Sequence, residues 1–137
     1  MQFRYTKFKT KEPNLPFDYQ PLLDVKFFND NLDIRARGLL DTGATITLIN
    51  KSWADALRIN WKSGVEIKLF GIIGEKIPVF IHEIEMEIIN LENSRKQTKV
   101  AFIDSPNVGI LLGQIGFFDN YNTAFSYSKK TFHVLLP

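Results

Sequence analysis

At 137 residues the chain has the length of one domain built around one core. Hydrophobic residues at 45% and charged residues at 23% place it among globular chains, and no apolar run approaches the roughly 20 residues that a membrane-spanning helix needs. A net charge of +2 is too small to point to nucleic acid, and the absence of cysteine excludes disulfides and thiolate metal sites.

The first stretch, "MQFRYTKFKTKEP", is basic and lacks the apolar segment of a secretory signal, which fits a cytoplasmic location. With Pro13, Pro16 and Pro21 as punctuation, residues 1–21 read as a loosely attached extension, and Arg4, Lys7, Lys9 and Lys11 as a solvated tail. Residues 22–137 read as the domain itself. "LLDVKFF" alternates, with Leu23, Val25 and Phe27 on one face. "NDN" at 29–31 is a turn, and "LDIRARGLL" returns with Leu32, Ile34 and Ala36 on one face, so residues 22–40 form a hairpin.

"NKSWADAL" predicts a short helix capped by Asn50, with Trp53, Ala56 and Leu57 behind it. "LFGIIGEKIPVF", 69–80, reads as a hairpin with Gly71 and Gly74 at its tip. "IPVFIHEIEMEII" sets Glu83, Glu85 and Glu87 against Ile84, Met86 and Ile88, a strand with one wet face. "LENSRKQ" turns the chain and "TKVAFID" returns it. "QIGFFDNY" predicts one or two helical turns after Gly113, and "TAFSY", "SKK" and "TFHVLL" form a last hairpin. The pattern as a whole is all-β.

Elimination narrows the chemistry. His82 and His133 both fall in strands and read as structural or surface residues. No serine sits in a nucleophile elbow, no His/Asp/Glu cluster has metal-ligand spacing, and no glycine-rich phosphate loop precedes a helix. No metal or cofactor is therefore expected. What remains is Asp41 inside "LLDTGATITLI", 39–49. A carboxylate among leucines and isoleucines is costly unless it is hydrogen-bonded or paired. It could simply cap its own backbone in an Asx-turn. The strand-like runs on both sides instead set the loop at the centre of the fold, and Gly43 lets a ligand approach the backbone.

"LLDTGA", the glycine-tipped "GIIG" and "ILLG" with the short pattern after it occur in that order. Together they resemble the retropepsin family of aspartic proteases over residues 22 to 136, and "TAFSYSKKTFHVLL" is similar to that family's closing strands. The resemblance implies a single-lobe, closed β-barrel or sandwich with one or two short helices. It implies that Asp41 is catalytic, that Thr42 locks the two loops of the pair together, and that Gly43, the third residue of the catalytic motif, hydrogen-bonds or contacts a bound peptide as Ala44 does. Ala44, Gly71, Ile72, Ile73, Gly74 and Ile110 would contact a bound peptide, with residues 71–77 folding over it as a flap. One departure stands out: relatives often carry Arg or Asp after the glycine of the second motif, and here the residue is Gln114, so any salt bridge made there is missing.

Two carboxylates close together can activate a water and polarise a carbonyl, because they share one proton. The chain has one Asp-Thr-Gly; Asp18, Asp24, Asp30, Asp33, Asp55, Asp104 and Asp119 lack the motif. The resemblance thus implies a homodimer, with Asp41 beside its own image on a twofold axis. The expected function is an aspartic endopeptidase acting on extended peptides, with neither nucleic acid nor membrane as partner. The alternative is a dimer of the same fold that binds peptide without cutting it.

Overall fold

The computed structural model describes residues 1–71 and 73–137. Twelve strands and one short helix follow one another among them: β1 (Gln2–Arg4), β2 (Thr6–Lys9), β3 (Phe17–Gln20), β4 (Leu22–Asn29), β5 (Leu32–Leu40), β6 (Leu48–Asn50), α1 (Lys51–Ala56), β7 (Val65–Phe70), β8 (Lys76–Ile88), β9 (Lys96–Ile103), β10 (Ile110–Leu112), β11 (Asn122–Ser126) and β12 (Thr131–Leu135). A 3-10 turn spans Trp61–Ser63.

The alternation in residues 22–40 folds as expected. β4 and β5 pair antiparallel, with Phe27 opposite Ile34 and Val25 opposite Ala36. Asp30 turns the chain with φ 50°, a conformation that Asp tolerates better than most residues. β4 also pairs with β8, from Val25 opposite Ile88 to Phe28 opposite Glu85. That second pairing closes the sheet. The order β4-β5-β10-β6-β9-β8 returns to β4, a barrel of six strands, and β7 hangs from β8 outside the ring. Closure gives each of those strands a neighbour on both sides, although β5 meets β10 only at Leu39 and Leu40.

The inward face of each strand fills the barrel. Leu23, Val25, Phe27, Met86, Ile88, Val100, Phe102 and Leu112 are all essentially inaccessible. Full burial of a side chain of this size contributes about 1.5–3 kcal/mol. A smaller cluster of Ile46, Val79, Ala101 and Ile103, flanked by Ile67, Leu69 and Ile77, lies beneath the β7–β8 hairpin.

Three expectations change. Residues 1–21 are not loosely attached. β1 pairs antiparallel with β12, β2 pairs with β3, the Met1 ammonium donates to the Val134 carbonyl at 2.9 Å, and Phe3 stacks on Phe132. In α1 the buried residue is Ala54, followed by Leu57, while Ala56 is exposed. At 3.6 residues per turn, Ala56 stands more than half a turn from Ala54 and faces away from the core. Residues 114–121 form consecutive turns rather than a regular helix. Phe118 and Asp119 donate to carbonyls five residues back, and Gly116 has φ 99°. Among the described residues no helix is long and apolar enough to cross a membrane.

Candidate active site

Asp41 is the first residue after β5, and its position is set by β10. That strand lies between β5 and β6, parallel to the first (Leu112 opposite Leu40) and antiparallel to the second (Ile110 opposite Ile49). The chain therefore leaves the sheet at Leu40, loops over the end of β10 and re-enters on its other side at Leu48. Asp41 N donates to Leu112 O at 2.9 Å, which anchors the start of the loop. The end is anchored by the segment that follows β10. Gln114 N donates to Ala44 O at 2.9 Å, Ile115 N to Thr45 O at 3.0 Å, and Thr47 N to Ile115 O at 2.8 Å.

Gly113 sits where the two segments cross. A Cβ there would stand 2.7 Å from Ala44 O and 2.8 Å from the Ile46 carbonyl oxygen and carbon, so only glycine allows so close an approach. Its N–H donates to Thr47 Oγ1 at 3.1 Å, and Thr47 is completely buried. The apolar reading of "TITLI" missed this brace. The available signal was a hydroxyl within an interior run, which must find a partner when buried.

Within the loop, Gly43 N donates to Asp41 Oδ1 at 2.9 Å, and Ala44 N donates to Asp41 O at 3.1 Å. The Asx-turn is thus present, on a loop that joins two interior strands but is itself open to solvent. It ties one carboxylate oxygen to the backbone, while Oδ2 has no hydrogen-bond partner among the described residues. Thr42 and Gly43 are exposed and Ala44 is buried. The Gln114 side chain donates from Nε2 to Thr42 O at 2.7 Å.

The remaining candidates divide. β7 and β8 form the expected hairpin, from Val65 opposite Ile81 to Phe70 opposite Lys76. At its tip Gly71 N donates to Glu75 O at 2.8 Å, Gly74 N to Gly71 O at 3.0 Å, and Ile73 N to Glu75 Oε2 at 3.2 Å. Gly74 has φ 83°, which a side chain would strain, and Ile73 is 89% exposed. Ile72 lies outside the described residues. Ile110 is 5% exposed and belongs to the main core, so in the single chain it offers almost no surface to a ligand. Of two of the larger concavities, one of about 700 Å³ lies at the 87–95 turn, away from the loop, and one of about 510 Å³, lined by Glu83, Gln97, Lys99 and Asp119 among others, reaches the crossing only at Ile115.

The model of the aspartyl protease family matches residues 24–114, most of the chain. No curated protein matches it. The fold is similar to the crystal structure of a retropepsin-like aspartic protease from Rickettsia conorii, at TM-score 0.65 and 14% identity, covering 98% of both chains. EIAV protease complexed with the inhibitor HBY-793 is a more distant match, at TM-score 0.49 and 19% identity, over 80% of this chain and 88% of that one. The loop that carries Asp41, the strand it crosses and nearly all of the barrel around them lie in one matched stretch, and the chain belongs to the aspartyl protease family, with a retropepsin-like fold.

Proposed function

We propose that this protein is an aspartic endopeptidase in which Asp41 from each of two chains forms one catalytic pair. The observation that carries the reading is Asp41 itself: a carboxylate on a loop anchored at both ends, tied through Oδ1 and open at Oδ2. Such rigidity is what a reacting group requires, because misplacement by an ångström costs orders of magnitude in rate. One chain supplies one Asp-Thr-Gly, so the second carboxylate comes from a second copy. Two carboxylates in contact hold one proton between them. The ionised member takes a proton from water as it attacks the peptide carbonyl, and the protonated member donates to the carbonyl oxygen.

In this reading Thr42, exposed in the single chain, locks the two loops across the twofold axis, and Gly43 completes the turn that orients Asp41. Gly71, Ile73 and Gly74 fold over an extended peptide above Ala44, and Ile110 supports the floor from the core. The apolar character of Ile72 and Ile73 favours cleavage between hydrophobic residues. Residues 22–137 are the proteolytic unit, and residues 1–21 are an extension stapled to its closing strands. The test is a diverse peptide library incubated with the wild type and with Asp41→Asn and read by mass spectrometry. Cleavage by the wild type alone is expected, with the variant still folded because the amide is nearly isosteric. An Asp41→Asn protein that cuts as well as the wild type refutes the assignment.

A further inference from the structure

The Gln114 amide and the Asp41 carboxylate do not touch, yet they hold opposite ends of one rigid unit. Gln114 Nε2 donates to Thr42 O at 2.7 Å, and Gly43 N donates to Asp41 Oδ1 at 2.9 Å. The Thr42 carbonyl and the Gly43 N–H belong to the same peptide bond, which is planar and cannot twist cheaply. A carbonyl accepts only from the NH₂ side of an amide, so the contact also fixes which way the Gln114 amide faces. We infer that Gln114 is a positioning residue: through the Thr42–Gly43 peptide it fixes the N–H that orients the Asp41 carboxylate.

Two physical effects follow. The first is geometric. Residues 42 and 43 are exposed, and a peptide plane in an exposed turn is free to rotate unless both ends are held. With Thr42 O held by Gln114, rotation breaks two hydrogen bonds at once, one at each end. The second is electronic. A carbonyl that accepts a hydrogen bond polarises its own peptide, which strengthens the N–H as a donor to Oδ1. The base of the device is independently fixed. Gln114 N donates to Ala44 O at 2.9 Å, and Asp119 N donates to Gln114 O at 3.0 Å, so both backbone groups of Gln114 are engaged. The side chain therefore starts from a rigid platform on the opposite segment of the crossing. A residue here that reached outward to form a salt bridge could not serve the loop in this way. Gln114 is itself exposed and caps no core, so its side chain can change without creating a cavity.

This inference rests on the reading of Asp41 as the catalytic residue, and the experiment separates the two. Three variants are compared with the wild type: Gln114→Met, which keeps the length and loses the donor; Gln114→Lys, which restores a donor on a flexible stem; and Asp41→Asn. The readouts are kcat and KM on a cleaved peptide, the melting temperature, and the NMR resonance of the Gly43 amide. Gln114→Met is expected to lower kcat about threefold to tenfold, the worth of one neutral hydrogen bond, with KM changed less than about twofold. Its melting temperature should stay at the wild-type value. The Gly43 amide proton should move upfield as its hydrogen bond to Asp41 weakens, and Gln114→Lys should recover both kcat and the resonance. A Gly43 resonance and kcat unchanged in Gln114→Met overturn the inference. So does a loss of activity that follows a drop in melting temperature while the Gly43 resonance stays in place. Failure of the functional reading looks different: Asp41→Asn keeps cutting, and no variant at position 114 then positions a catalytic group.

Discussion

Single side chains with one or two well-defined partners decide the local geometry. Thr47 is the clearest. Its hydroxyl, with no exposed surface, accepts from Gly113 N at the crossing beneath Asp41. Thr47→Val keeps the shape and strands that N–H, which costs about 1–3 kcal/mol. The expected outcome is a melting temperature lower by roughly 3–10 °C at equal protein concentration, while Thr47→Ser, which keeps the oxygen, loses less. Equal stability of Thr47→Val and the wild type would mean that the hydroxyl braces nothing. Tyr121 is the second case. Its hydroxyl donates to Ser94 O at 2.6 Å, and burial, helped by Glu87, pushes its pKa up from 10.0 to about 12. The folded state then keeps a proton that the unfolded chain releases near pH 10. Stability from this group is complete below that pH and is lost as pH rises through about 12. Urea titrations should show Tyr121→Phe less stable at pH 8, by about 0.5–1.5 kcal/mol for the lost hydrogen bond, with the gap to the wild type narrowing above pH 10. A gap independent of pH contradicts the assignment.

At the scale of elements, local pattern and distant pairing had different visibility in the sequence. The hairpin of β4 and β5 was legible because Leu23, Val25 and Phe27 alternate with polar residues and a two-residue turn joins the strands. The Asn50 cap was legible for the same local reason: its Oδ1 accepts from Ser52 N at 3.0 Å. The same side chain also donates to Ser105 O at 2.8 Å and Val108 O at 3.0 Å, and no local pattern announces a contact to residues so far along the chain. β1 was illegible because its partner, β12, lies at the other end of the sequence, with Phe3 opposite Phe132. The three prolines between them suggested a tail, but they punctuate loops around a real hairpin, β2 with β3. Of the candidate site, the Asp41 loop and the Gly113 crossing were legible as motifs, while Thr47 and the Gln114 contact to Thr42 depended on the crossing that brings them together. The β7–β8 tip carries the prediction for this scale. Its described residues are held by a few turn hydrogen bonds, with Ile73 almost fully exposed, so its amides should exchange rapidly. A tight peptide-like inhibitor should slow exchange of Gly71 and Gly74 about threefold to tenfold, the worth of one added hydrogen bond each. Equal exchange with and without inhibitor would leave the hairpin with no part in binding.

For the molecule as a whole, closure of the six-stranded ring explains why so small a chain can hold Asp41 rigidly. β10 is only three residues long, yet it is paired on both sides and carries Ile110 and Leu112 into the core, so the loops at its end inherit the stiffness of the barrel. The site itself sits at the surface of the single chain, with Thr42 and Gly43 exposed and one carboxylate present. In the proposed reading this barrel presents half a catalytic pair, which is complete only when two copies meet. The most direct measurement of that claim is mixing. Wild type and Asp41→Asn are combined in varied ratio at constant total concentration, allowed to exchange partners, and assayed on a cleaved peptide. If each active site needs Asp41 from both chains, mixed pairs are inactive and activity follows the square of the wild-type fraction. Activity that follows the wild-type fraction linearly would mean that each chain carries a complete site, which contradicts the shared pair.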